Sequence, residues 1–223
     1  MFKAITFDCY GTLVDWESGI KSFLTQTFRD KGVGASVPDV FHAREEIEFD
    51  MIQARYRRYS EVLHQSLREA FDRYRVPYAH TDGDRLVQSV PTWPIFPETK
   101  AALEKLSEKH RLGIISNIDN EIIRRTKAVI GVKFDLTVTA QFAKAYKPSI
   151  RPFQVALRRF GYAPGEILHV SSGFRYDIPP AHELGIKTAW VNRKKEPKPK
   201  ASLHGPDYEF TSLTELAERM ENM

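Results

Sequence analysis

Phe2-Lys3-Ala4-Ile5-Thr6-Phe7-Asp8-Cys9-Tyr10-Gly11-Thr12-Leu13 is the stretch on which the reading of this chain turns. Its first six residues form a short apolar run that reads as a buried strand, and Asp8 stands at that strand's carboxyl end. Open α/β sheets bind ligands in the crevice outside the carboxyl ends of their strands. An acid followed by Gly11-Thr12 therefore fits the mouth of a pocket, with Gly11 letting the backbone turn tightly beneath it. Taken alone, Asp8 fits the cap of a following helix equally well.

From Thr92-Trp93-Pro94-Ile95-Phe96-Pro97 onward, helix and strand patterns alternate. Helices are predicted over 98–110, 121–129, 152–160 and 181–184, and strands over 112–116, 134–138, 166–170 and 187–191. The alternation predicts an α/β fold with a doubly wound parallel sheet, to which the first strand belongs. A last strand over 208–210 precedes a helix with a Ser212/Glu215 capping box. Residues 16–91 show only helical patterns. Ser18 is expected to cap a helix running to Gly32, with Ile20, Phe23, Leu24 and Phe28 on one stripe. Pro38 is expected to open one long helix to about Tyr74, and a further piece covers 82–90. The expected organisation is core over 1–15, an all-helical insertion over 16–91, and core again over 92–223.

The 223 residues suffice for a sizeable core, and 42% hydrophobic with 28% charged residues is an ordinary globular mixture. No run of about 18 apolar residues is present, so no membrane partner is expected. The first residues lack the basic-then-apolar order of a signal peptide, and the single Cys9 excludes an internal disulfide; a cytoplasmic location is the expectation. The net charge of +4 comes from 33 bases interleaved with 29 acids. The one dense basic run, Arg193 to Lys200, is broken by prolines and reads as a solvated loop, so nucleic-acid binding is not expected. A mild positive field drawing a small anion into a cleft is expected instead. Cys9 reads as packing, because a neighbouring carboxylate suppresses its thiolate.

Several predicted strands end in useful polar groups. The first ends in Asp8, the second in Ser116-Asn117; the third leads to Lys147-Pro148, and the fourth ends in Ser171-Ser172 with Asp177 a few residues on. Singly, each is explained as a cap or a surface charge. Parallel strands bring their carboxyl ends to one edge, so the ordered set reads as an active site.

Asp8-x-Tyr10-Gly11-Thr12, Ser116-Asn117, Lys147-Pro148 and Ser171-Ser172-x4-Asp177 resemble, in order and spacing, the four motifs of the haloacid dehalogenase superfamily. The chain looks most like its type II L-2-haloacid dehalogenases, and parts of it are similar to the related L-azetidine-2-carboxylate hydrolase. The resemblance implies a Rossmann-like core with a helical cap and a metal-independent hydrolase of short 2-substituted carboxylic acids. It implies an ester on the nucleophile Asp8, water activated by Asp177, and Lys147 keeping Asp8 ionised. Thr12 and Ser116 would hold the substrate carboxylate, and Asn117 a departing halide. Tyr10, Ser171 and Ser172 would line the substrate site, and a cap residue, Arg44 or His42, would guide the leaving group. No cofactor and no metal are implied, the partner is a small carboxylate, and relatives of this kind commonly form homodimers.

Tyr10 and Ser172 stand where phosphatases of the superfamily carry carboxylates. A tyrosine with a free pKa near 10 is a poor acid and base for phosphoryl transfer, and Mg²⁺ needs several hard oxygen ligands. A phosphatase and a non-catalytic binding relative are the alternatives. Phe153 and Gly173 depart from the dehalogenase pattern, which has tyrosine and asparagine there. His169 reads as a satisfied core histidine, and His64, His80, His110 and His182 show no metal-ligand spacing. Tyr56 and Tyr59 read as a cap face, and Trp93 and Phe96 as packing at the junction between cap and core.

Overall fold

The computed structural model describes residues 2–199 and 205–222; Lys200, the last of the basic run, lies outside them. Strand β1 (Ala4–Phe7) is buried along its whole length, as its unbroken apolar run requires when both faces are covered. It is followed by α1 (Trp16–Lys31), α2 (Val37–Gln53), α3 (Tyr59–Arg73) and α4 (His80–Ser89), then by a single 3₁₀ turn, Val90–Thr92. The alternating part runs α5 (Thr99–Ser107), β2 (Arg111–Ser116), α6 (Asn120–Ile130), β3 (Leu136–Thr139), α7 (Ala140–Ala143) and α8 (Arg151–Phe160). It ends with β4 (Ile167–Ser171), α9 (Phe174–Glu183), β5 (Lys187–Val191), β6 (Tyr208–Phe210) and α10 (Leu213–Glu221).

The strands form one sheet in the order β3-β2-β1-β4-β5-β6, with all pairs parallel and helices on both sides. Phe7 pairs with Ile114 of β2 on one side and Val170 of β4 on the other. The strand order reverses at β1, so the crevice of the doubly wound fold opens at the end of that strand, where Asp8 begins.

Three local expectations differ from the structure. Helix α1 starts two residues before Ser18, because the Asp15 side chain accepts from the Ser18 backbone N–H and is its true cap. The helix expected from Pro38 to Tyr74 is two helices, interrupted at 54–58. The helix expected over 181–184 is longer, starting at Phe174 and running through Pro179 and Pro180.

The break at 54–58 contains neither glycine nor proline, and its cause is tertiary. Helix α3 has no capping side chain of its own. Asp119, on the loop after β2, accepts from the Tyr59 and Ser60 backbone N–H groups at 3.0 and 2.9 Å. A carboxylate there satisfies orphan donors and meets the positive end of the helix dipole. The Tyr146 hydroxyl adds a bond to the Arg57 carbonyl at 2.9 Å. Leu24, Val40, Leu63 and Phe71 of the insertion also belong to one apolar cluster with Ile5, Phe7, Ile114 and Val170 of the sheet.

Asp119→Ala is expected to lower unfolding stability by about 1–2 kcal/mol and to raise hydrogen exchange at the start of α3. Denaturant titration and exchange mass spectrometry read both; exchange unchanged over the first turn of α3 would contradict the capping role.

Candidate active site

Beyond Phe7 the chain leaves the sheet, and the Asp8 N–H donates to the Val170 carbonyl at 2.9 Å, holding the acid at the strand end. Gly11 follows at φ +102°, and a Cβ there would lie 3.0 Å from Ser172 Oγ and 3.2 Å from Trp16 Nε1. Only glycine meets both demands, so the loop turns back under Asp8. Thr12 is fully buried. Its hydroxyl donates to Asp8 Oδ2 at 3.1 Å and accepts from the Ser172 N–H at 2.9 Å, which joins the ends of β1 and β4.

Lys147 lies at the centre. Its Nζ donates to Asp8 Oδ1 at 2.8 Å, Asp177 Oδ1 at 2.7 Å and the Ile115 carbonyl at 3.0 Å. Three donors meet three acceptors in a site where Lys147 and Asp177 are each 1% exposed and Asp8 8%. Asn117 fixes this lysine through its backbone, its amide accepting from the Lys147 N–H at 2.7 Å and donating to the Lys147 carbonyl at 3.0 Å. Asp177 Oδ1 also takes the Nε2–H of His169 at 2.8 Å, and Oδ2 takes the Ser171 hydroxyl at 2.8 Å.

The charges set the ionisation. Burial pushes the Asp8 pKa above its ordinary 3.8; Lys147 pulls it back and Asp177 adds to the rise. Burial acts on Asp177 in the same sense, but Lys147 and His169 outweigh it and hold that carboxyl below its ordinary value. Burial lowers Lys147, and the two carboxylates more than restore it. The buried pair thus contains one acid eased toward its neutral form and one held as the anion. Burial first, and Asp8 second, push the Cys9 thiol well up, so its thiolate is suppressed. Burial does the same to Tyr10, whose hydroxyl is bonded to Thr126 Oγ1 at 2.8 Å.

Above these groups lies a cavity of about 620 Å³. Asp8, Tyr10, Ser116, Asn117, Lys147, Ser172 and Asp177 line it. Ser116 Oγ is buried and has no hydrogen-bond partner among the described residues, so it is a donor held ready for a ligand. Thr12 and Ser171 are not on the wall: their hydroxyls serve Asp8 and Asp177, and the ligand-binding parts expected of them do not match this geometry. The carbonyl and one N–H of Asn117 are committed to Lys147, so its main service is positional.

Neither residue expected to guide the leaving group reaches the cavity. Arg44 is 1% exposed, 2.5 Å from Glu48 Oε2, and donates to Ser66 Oγ at 3.3 Å; it spends its charge within the helical insertion. The His42 side chain is 68% exposed and faces Glu45. The cleft's expected positive field meets, among the described residues, lining cations that are already paired. Of the cavity-lining cations, Lys21 and Lys194 both pair with Glu17, Arg193 with Glu98, and Lys147 with Asp8 and Asp177.

The donor set does not suit a hard cation such as Mg²⁺. Asp8 after β1 and Asp177 on α9 are both bound by one ammonium, the Tyr10 hydroxyl points to Thr126, and Ser172 supplies no charge.

Two contributors escaped the sequence reading. His169 is a satisfied core histidine as expected, with Nδ1 2.9 Å from Thr6 Oγ1 and its ring edge-on to buried Phe153, yet it is also the second partner of Asp177. Arg193, read as part of a solvated loop, lies 3.8 Å over the Phe96 ring and donates to the Thr12 carbonyl at 2.9 Å. The proline-broken basic run gave no signal of that.

Residues 2–185 match the hydrolase family described as haloacid dehalogenase-like hydrolase. The (S)-2-haloacid dehalogenase 4A of Burkholderia cepacia is 26% identical over 217 residues, covering 95% of this chain and 88% of that protein. A phosphoglycolate phosphatase of Photorhabdus laumondii is 29% identical over 223 residues, covering 96% and 90%. The crystal structure of an L-2-haloacid dehalogenase superposes with a TM-score of 0.89 over 99% of both chains, at 24% identity, a likeness of fold.

The electrostatics predict opposite shifts from two substitutions. Lys147→Met removes the cation that holds Asp8 down, so the Asp8 carboxyl should titrate higher than in the wild type; Asp177→Asn removes a neighbouring anion, so it should titrate lower. Carbon-13 NMR of labelled aspartate carboxyls reads both, and shifts of the same sign would contradict the coupling.

Proposed function

The chain belongs to the haloacid dehalogenase-like hydrolases, and from that premise we propose that it is a metal-independent hydrolase of short 2-substituted carboxylic acids working through an ester on Asp8. In this reading residues 16–91 act as a cap over a core made of 1–15 and 92–223. The observation that carries it is the Lys147 ammonium bound to Asp8 and Asp177 at once. One cation opposes the burial that eases Asp8 toward its neutral form and helps hold Asp177 as the anion, taking one oxygen of each carboxylate.

The substrate carboxylate lies against Ser116 Oγ and the amides of the strand ends. An Asp8 carboxylate oxygen attacks C2, the bond to the leaving group breaks with its electron pair going to that group, and a C2–O ester bond forms. Water beside Asp177 then attacks the acyl carbon of Asp8, its proton passing to Asp177. The acyl C–O bond breaks, and the departing 2-alkoxide takes the proton back. The product hydroxyl oxygen therefore comes from Asp8, which keeps the oxygen of water. A Cβ on Gly173 would lie 3.3 Å from Asp177 Oδ2, so glycine there keeps the approach to the base open. Phosphoryl transfer would need an acid two residues after the nucleophile; Tyr10, half-buried with its hydroxyl bonded to Thr126, does not supply one.

Single turnover on 2-chloropropionate in heavy-oxygen water, with chelator present, tests the reading. Label should enter Asp8 before product, and Asp177→Asn should stop at the ester with its added mass. Label appearing directly in product, or activity that vanishes with chelator and returns with Mg²⁺, would overturn it. Turnover of phosphate monoesters alone would move the protein to the phosphatases.

A further inference from the structure

The helical insertion holds a second cluster, on the side of α3 that faces α4. His80 and Asp84 stand four residues apart on α4 and so share one face. His64 reaches them from α3. Its ring occupies the place of a missing side chain: a Cβ on Gly83 would lie 2.1 Å from His64 Nδ1. Glycine inside a helix is about 1 kcal/mol less favourable than alanine, and here it admits the imidazole against the α4 backbone.

The donor atoms converge. His64 Nε2 is 3.2 Å from Asp84 Oδ1, and His80 Nε2 is 3.9 Å from the same oxygen. One ligand atom from each of the three residues lies within 4.8 Å of the others. The Tyr78 hydroxyl is 3.2 Å from His64 Nδ1, so the outer nitrogen is occupied and Nε2 is turned inward, the arrangement usual for a ligating histidine. Metal–nitrogen and metal–oxygen distances of about 2.0–2.2 Å place neighbouring ligand atoms of a tetrahedral site about 3.4 Å apart. The observed spacings bracket that value, and small side-chain rotations close the site. The expectation of no metal-ligand arrangement among these histidines rested on their spacing along the chain; folding brings His64 and His80 together from different helices.

We propose that His64, His80 and Asp84 bind one divalent transition-metal cation, of the Zn²⁺, Ni²⁺ or Cu²⁺ class, that ties α3 to α4. Two imidazoles and one carboxylate suit these borderline ions and not Mg²⁺, which prefers oxygen alone. Three protein ligands leave a fourth position for water. The site is separate from Asp8 and Lys147 and is independent of the hydrolytic reading above.

Tag-free, chelator-treated protein titrated with ZnCl₂, NiCl₂ and MgCl₂ in a calorimeter tests it. One Zn²⁺ or Ni²⁺ per chain should bind with a dissociation constant in the micromolar range or below, and excess Zn²⁺ should raise the melting temperature by about 5 °C. Co²⁺ should show visible ligand-field absorption. His80→Gln and Asp84→Asn lie at the exposed edge of the cluster and should fold, and each should weaken binding at least tenfold. No saturable Zn²⁺ or Ni²⁺ binding by the wild type, Mg²⁺ binding as tight as Zn²⁺, or wild-type affinity in both variants would overturn the assignment.

Discussion

The buried ammonium of Lys147 is the constraint on which the rest of this structure depends. Removing a lysine and two carboxylates from water carries a penalty of several kcal/mol per ion, and only close, fully satisfied geometry offsets it. That geometry requires the end of β1, the Ile115 carbonyl of β2, the loop after α7 and the start of α9 to meet within hydrogen-bonding reach. A sheet whose strand order reverses at β1 brings those segments together. The remaining polar groups complete the arrangement: Asn117 grips the Lys147 backbone, Thr12 takes the free oxygen of Asp8, and Ser171 and His169 finish Asp177. Truncating Lys147 would leave two like charges buried side by side.

The helical insertion is bound to the sheet by a few specific contacts in addition to shared apolar packing. Asp119 caps α3 from the β2 loop, and Tyr146 reaches the Arg57 carbonyl. Asp119 lies three residues beyond Ser116, so the segment that ends β2 at the cavity also anchors the helices over it.

What was legible in the sequence was what periodicity and strand-end chemistry encode. β5 and β6 match their predicted bounds, the other strands lie within about two residues, and the order Asp8, Ser116, Lys147, Asp177 reads as one sheet edge because parallel strands share their ends. Interactions with no local signature were not legible. The interruption at 54–58 follows from a carboxylate some sixty residues downstream, and no turn residue marks it. The second contact of His169, the inward turn of Arg193 and the meeting of His64 with His80 are tertiary in the same way. Arg44 shows the converse: a cation of the right type in the right region, whose charge is neutralised one helical turn away by Glu48.

That neutralisation bears on how the cavity treats its two ends. On the strand side an anion meets the unpartnered Ser116 hydroxyl beside the Lys147 charge. On the helical side it meets Glu45, Glu48, Ile52 and Tyr59, and burial together with Glu48 pushes the Glu45 pKa up. Among the described residues of that wall no cation is left unpaired. On the proposed reading, a leaving group departing as an anion would meet carboxylates on that wall and be drawn back toward the strand ends or out to solvent. On the same reading, the strand end of the site takes the substrate's one charge and the opposite end is set by shape, with Ile52, Tyr59 and Trp93 on its wall.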